Sequence, residues 1–386
     1  MPELRHIHGP TICYPRRRAA VSLIAALCLG FTTPVAFAQV RLTAELTSKS
    51  DFTAAESAQI ATFVTERLTQ LSDADADVVK NARAALFEPL DTGVSVGFRL
   101  EYAKVLDQRL ASLIEGKDAR LAAIALRLAG RIATATSERQ LQKGMASREP
   151  ATRFAAAVGY QELLRTVGEG ALGLGDAAVE KVLTSLRDAI STEKDPRVVD
   201  AIILALDGIP NGGAGAPLRV RAMLRASEGG LALTRRLRKE SPASDNRLWA
   251  TALLRDLDIV YQTLLTQMQA GAGAVSPEFA KAAASFGGAS LAFVRDRIAA
   301  AAPADETPSL RMIVGAAENI IVLADQVINP AGKATSRKLP DSFDQAIERG
   351  NANWFTEAAA PYIGANGTLT KPPYSMKPEE LAPARK

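Results

Sequence analysis

Histidine and cysteine are almost missing from this chain of 386 residues: each occurs twice, and His6, His8, Cys13 and Cys28 all fall in the first 28 positions. That stretch also has the order of a secretory leader. Arg16, Arg17 and Arg18 supply a basic start, Ala19 to Leu29 an apolar run, and Ala36-Phe37-Ala38 a small-residue cleavage site before Gln39. Thr32, Thr33 and Pro34 interrupt the apolar run short of the ~20 residues that a membrane-spanning helix requires. Leu27 before Cys28 disfavours a lipoprotein site, and Ala19-Ala20-Val21 fit twin-arginine export weakly. The reading is a signal peptide over residues 1–38, cleaved after Ala38, with export to a bacterial-type periplasm or beyond. An uncleaved, membrane-anchoring leader is the alternative.

Cleavage would remove every histidine and cysteine. A Ser-His-Asp triad, a thiol nucleophile, the common zinc ligand sets and disulfide staples are then all excluded, and no cofactor is expected. Tryptophan is scarce too, with only Trp249 and Trp354, and aromatics make up 5% of the chain. Stacking platforms of the kind a sugar site uses are therefore sparse, and both tryptophans are expected to fill core or inter-helix gaps. Charge of one sign is also lacking. The leader holds four basic residues and one acidic residue, so its loss takes the formal charge from +4 to +1. A near-neutral protein gives no support to nucleic-acid binding.

What remains is rich in Ala, Leu, Val and Ile at helical spacing. Leu121, Ile124, Ala125, Leu128 and Ile132 share one helical face; so do Val198, Ile202, Ala205, Leu206 and Ile209, and Trp249, Leu253, Leu257, Val260, Leu264 and Met268. Alternation of the strand kind is confined to Val94 to Phe98. The pattern predicts an all-α fold with helices over 53–71, 77–88, 97–115, 118–133, 137–146, 150–167, 176–192, 195–208, 217–238, 246–270, 277–301, 308–328 and 341–360. Asp195-Pro196, Ser276-Pro277 and Thr307-Pro308 read as starts, and Gly116, Gly168, Gly208 and Gly271 as stops. The proline-bearing end, residues 363–386, reads as a disordered tail. Within it, Asn366-Gly367-Thr368 fits the glycosylation acceptor pattern, although Asn-Gly is sufficient reason for a turn.

Four segments share a grammar: DARLAAIALRLAG from Asp118, PATRFAAAVGYQEL from Pro150, DPRVVDAIILALDGI from Asp195 and DNRLWATALLRDL from Asp245. Each has a helix-starting residue, an early arginine (Arg120, Arg153, Arg197, Arg247) and then a small and aliphatic face. Asp77, Val78, Val79, Lys80, Ala82 and Arg83 resemble a degenerate further copy. These segments resemble HEAT repeats, best over about residues 77–210. The resemblance implies helical hairpins stacked into an α-solenoid. The arginine spacings of 33, 44 and 50 are irregular, and the helices after Asn246 are long. The expected organisation is thus a repeat domain over 39–210, a glycine-rich junction from Asp207 to Pro217, and a helical bundle over 217–362. Each early arginine is expected to form a structural ion pair or to pack its stem between neighbouring helices, with ligand binding as the alternative.

Three local patterns invite chemistry. Gly168, Gly170 and Gly173 spell G-x-G-x-x-G, but a helical pattern precedes them where a phosphate loop needs a strand, so an interhelix loop is expected. Asp73, Asp75 and Asp77 imitate a calcium loop, yet Val78 and Ala84 occupy the positions of its glycine and glutamate. Arg219, Arg221, Arg225, Arg235, Arg236, Arg238 and Lys239 face a single acid, Glu228, and are the candidate contact for an anionic partner; a solvated, ion-paired face is the plainer account. The sequence thus points to an exported, non-enzymatic scaffold or adaptor that binds protein partners in the cell envelope. The competing reading is a carboxylate-dependent hydrolase of envelope polymers.

Overall fold

The computed structural model describes residues 41–383 apart from 92, 172, 214, 241–246, 272–273 and 331–337. The leader reading lies outside the described residues. Sixteen α-helices and no strand are found among the described residues. They are α1 (Ala44–Thr47), α2 (Ala54–Gln70), α3 (Ala76–Phe87), α4 (Val96–Glu115), α5 (Ala119–Ile132), α6 (Ala135–Met145), α7 (Pro150–Gly168) and α8 (Asp176–Thr192). There follow α9 (Pro196–Asp207), α10 (Gly215–Lys239), α11 (Arg247–Gln269), α12 (Pro277–Ala299), α13 (Thr307–Ile328), α14 (Leu339–Glu348), α15 (Asn353–Ile363) and α16 (Pro378–Leu381). The fold is all-α.

Local chemistry explains where these helices begin. The Asp118 side chain accepts from the N–H groups of Arg120 and Leu121, and Asp195 accepts from Arg197 N, each filling orphan donors of a first turn. Ser276 does the same for Phe279 N ahead of Pro277. Thr307-Pro308 works differently from the sequence reading, because α13 starts at Thr307 without a side-chain cap. Of the glycine stops, Gly271 is left-handed at φ 125°, whereas α7 turns at Gly170, φ 97°, and not at Gly168. The alternation from Val94 to Phe98 opens α4 instead of a strand. The single helix expected over 341–360 is two, α14 and α15, separated by a turn at Gly350 with φ 57°.

Packing follows a ladder in which alternate helices touch. α5 packs on α7, α7 on α9, α9 on α11 and α11 on α13; on the other side α4 meets α6, α8 meets α10 and α10 meets α12. Sequential partners, such as α4 with α5 and α12 with α13, join the two rows. α5 and α7 cross closely, since a Cβ on Gly130 would overlap the carbonyl oxygen of Gly159. Glycine there lets two backbones meet directly.

The ladder runs through Asp207 to Pro217 without a break, so the expected boundary between repeat domain and bundle is not a gap in the core. α9 packs on both α10 and α11 across it. Ile209 is buried, and the buried Arg219 donates to the carbonyls of Asp207 and Ile209 at 2.7 and 2.8 Å. The supposed disordered tail is also packed as far as residue 383. Leu369, Tyr374, Met376 and Leu381 are buried, and Leu369 fills a notch that Gly288 leaves on α12. Four spaced apolar side chains anchor this segment; its prolines had concealed them from a reading based on helical period.

Candidate functional site

The basic side chains of α10 are mostly engaged within the fold. Arg219 lies under the α9–α10 turn, with Nη2 at 2.5 Å from Asp207 and Nε at 3.2 Å from Thr263. Arg221 faces Asp176 and Glu180 at 3.7 and 3.9 Å. Arg225 bridges Glu180 at 2.6 Å and Glu228 at 2.9 Å. Arg235 meets Glu380 at 2.5 Å, Arg236 faces Glu240 at 3.6 Å and covers the Trp249 ring, and Arg238 bonds Asp296 at 2.8 Å. Lys239 is exposed. The two ends of the helix therefore do different work. Its first half ties α8 and α9 to α10, and its second half grips the C-terminal segment, where Arg238 also donates to the Glu380 and Ala382 carbonyls. Arg295 adds a bond to the Leu381 carbonyl at 2.7 Å. No continuous, uncompensated basic face remains on α10, because acids distant in sequence supply the missing charge.

The four early arginines do not share a role. Arg153 makes a two-pronged pair with Glu193 at 2.7 and 2.9 Å and closes the end of α8 onto the start of α7. Burial alone would raise the Glu193 carboxyl, but Arg153 and the N–H groups of Asp195 and Lys194 outweigh it and hold it below the ordinary range. Arg197 pairs with its own cap, Asp195, at 2.8 Å; Arg247 reaches Asp305 at 2.9 Å; Arg120 is exposed. Of the G-x-G-x-x-G glycines, Gly168 ends α7, and Gly170 and Gly173 lie in the loop between α7 and α8, with Gly173 against the Ala133 carbonyl. Asp73 and Asp75 accept the N–H groups of Asp75 and Asp77 at 2.9 and 2.8 Å, which makes them an acidic turn opening α3. Asn366 is exposed and Gly367 opens a short 3-10 turn. Trp249 is nearly buried under Arg236, but Trp354 is 41% exposed beneath Arg349 and fills no core gap.

Two features escaped the sequence reading. The first is Asp256 on α11, fully buried, with neither carboxyl oxygen hydrogen-bonded among the described residues. Burial pushes its carboxyl well above the ordinary 3.8. It stands on the apolar face, between Leu253 and Leu257 in the helical period, and that placement was a signal available in the sequence. Being sealed from solvent, it is poorly placed to exchange a proton with a substrate.

The second is a cleft of about 420 Å³ between α3 and α5, lined by Ala76, Val79, Lys80, Arg83, Phe87, Arg120, Ala123, Ile124 and Arg127. Its α3 positions are spaced three, four, seven and eleven residues from Ala76, and its α5 positions three, four and seven from Arg120, so each helix presents one face. Val79 and Ile124 form a buried apolar floor, and four exposed cations form the rim. No family model matches this chain, and comparison with curated proteins finds no match. Among the described residues, no helix is long and apolar enough to cross a membrane.

Proposed function

We propose that this protein is an exported, non-enzymatic helical-repeat scaffold that binds protein partners in the cell envelope. One observation carries the reading. The segments beginning at Asp118, Pro150, Asp195 and Asp245, which share a grammar in sequence, supply α5, α7, α9 and α11, and these are successive neighbours in a single row. The degenerate copy at Asp77 supplies α3, the next member of that row. A repeat whose equivalent helices stack on one another is what HEAT-like hairpins require, since no hairpin buries its apolar face alone. Such stacks expose long helix-lined surfaces, and binding is their usual use, although the step from fold to role is by analogy. The engaged arginines and sealed Asp256 leave these features as parts of the framework.

Affinity capture of the tagged protein from cell envelopes tests this reading. Recovery of a stoichiometric protein partner, with the tagged chain beginning at Gln39, is the expected result. Recovery of the chain alone after mild crosslinking, or of a chain retaining residues 1–38, would remove the scaffold or the cleavage of the leader respectively.

A further inference from the structure

We infer that the cleft between α3 and α5 is a docking groove for an acidic amphipathic helix of a partner protein. The inference rests on the scaffold reading above and names the place and chemistry of one contact. α3 meets α5 over only a short stretch, whereas α5 and α7 close tightly where Gly130 faces Gly159. The row thus ends in an opened pair of helices, with half-buried Phe87 and Ala123 beside the floor formed by Val79 and Ile124. A volume of about 420 Å³ takes a few aliphatic side chains but no whole helix, so the occupant lies across the opening and inserts anchors. Helices recognised in grooves use this arrangement, with anchors at i, i+3, i+4 and i+7.

The rim specifies charge. Lys80 and Arg83 form no ion pair among the described residues. Arg120 is only 3.9 Å from Asp118 and 3.5 Å from the Leu71 carbonyl, and Arg127 meets Glu162 at 3.2 Å. Among the described residues, no carboxylate lines the cleft itself. Cations thus flank an apolar strip on both sides, which complements carboxylates flanking the anchors of an incoming helix and disfavours a basic one. These four side chains come from two helices separated in sequence, and Lys80 and Arg83 are free to reorganise toward carboxylates.

The test uses the protein without its leader and two labelled synthetic helices with the same leucine anchors, one flanked by glutamates and one by lysines. Fluorescence anisotropy should show the glutamate peptide binding, with affinity falling as salt rises. Lys80→Glu with Arg83→Glu should weaken it by about tenfold or more at low salt, because two attractions become repulsions. Ala123→Asp, which places a charge on the floor, should weaken it while the helical circular dichroism is retained. Equal binding of the lysine peptide, no binding of the glutamate peptide, or unchanged affinity in a folded double variant would overturn the groove. Charge-dependent binding of phosphatidylglycerol vesicles without peptide binding would also overturn it, in favour of a lipid surface. If envelope capture still recovers a partner with Lys80→Glu/Arg83→Glu, the groove falls and the scaffold stands; if capture fails for the parent chain, the scaffold falls.

Discussion

Gly230 of α10 leaves its side-chain position to the carboxyl of Asp256 on α11. A Cβ at Gly230 would overlap Asp256 Oδ2 and lie 2.6 Å from the ring of Phe286 on α12. Three helices therefore meet at one notch, and the group filling it is a buried carboxyl without a hydrogen-bond partner among the described residues. Such a group is accommodated by remaining protonated, which is the state burial favours.

Stability should consequently carry an Asp256 signature. Its folded value is raised, so the contribution of the neutral carboxyl is full below the ordinary 3.8 and is lost as pH climbs toward the folded value. Asp256→Asn should be more stable than the parent at pH 7, by about 1–3 kcal/mol, with the advantage shrinking toward pH 4. Thermal melts of both proteins across that range measure it. Parallel pH profiles would show that the carboxyl is not sealed.

Glu193 should act in the opposite direction. Its folded value is depressed, so the Arg153 pair stabilises above the ordinary carboxylate range and the benefit is lost as pH falls through the folded value. Arg153→Met leaves Glu193 without its guanidinium and should lower stability by about 1–3 kcal/mol at pH 7, with a smaller difference in acid. Denaturant midpoints at neutral and acid pH distinguish this from a simple packing loss, which would not depend on pH.

Two helical glycines should respond with opposite signs. Gly130→Ala drives a methyl into the Gly159 carbonyl and should destabilise by about 1–3 kcal/mol or more. Gly315→Ala on α13 meets nothing closer than Pro340 Cγ at 3.7 Å and should stabilise by roughly 0.5–1 kcal/mol through helix propensity. A melting temperature unchanged or raised by Gly130→Ala would contradict the close α5–α7 crossing, and one lowered by Gly315→Ala would contradict the open space at Gly315.

The C-terminal segment should behave as part of the core. Leu369 is fully buried, and Leu369→Ala should cost about 2–5 kcal/mol. Limited proteolysis then reports whether cleavage within 364–383 accelerates. Rapid cleavage of the parent chain there would restore the view of a loose tail.

Ile202 and Arg187 give a contrast for the helical assignment. Ile202 is wholly buried on α9, so Ile202→Asp should abolish cooperative folding, whereas Arg187, beside Asp188 at 2.7 Å and Glu228 at 3.4 Å on a partly exposed surface, should tolerate glutamine with little change. Circular dichroism melts of the two variants should differ sharply.

Helices were legible in the sequence because their signals are local: the apolar period and the caps at Asp118, Asp195 and Ser276 place twelve of them within two residues of their observed ends. The early arginines and small, aliphatic faces that recur in α5, α7, α9 and α11 are likewise local features of the sequence, and these four helices are neighbours in one row. Tertiary structure alone decided what depends on distant partners. Arg235 and Arg238 read as a basic face until Glu380 and Asp296, 145 and 58 residues away, neutralised them. Lys80 and Arg83 in the degenerate copy and Arg120 at an early-arginine position gave no sign of a shared site until α3 and α5 set them with Arg127 around one cleft, and Leu369 read as tail until it met Gly288. Period and capping are properties of a few consecutive residues, whereas charge pairing, burial of isolated side chains and the opening between two helices arise only when separate segments meet.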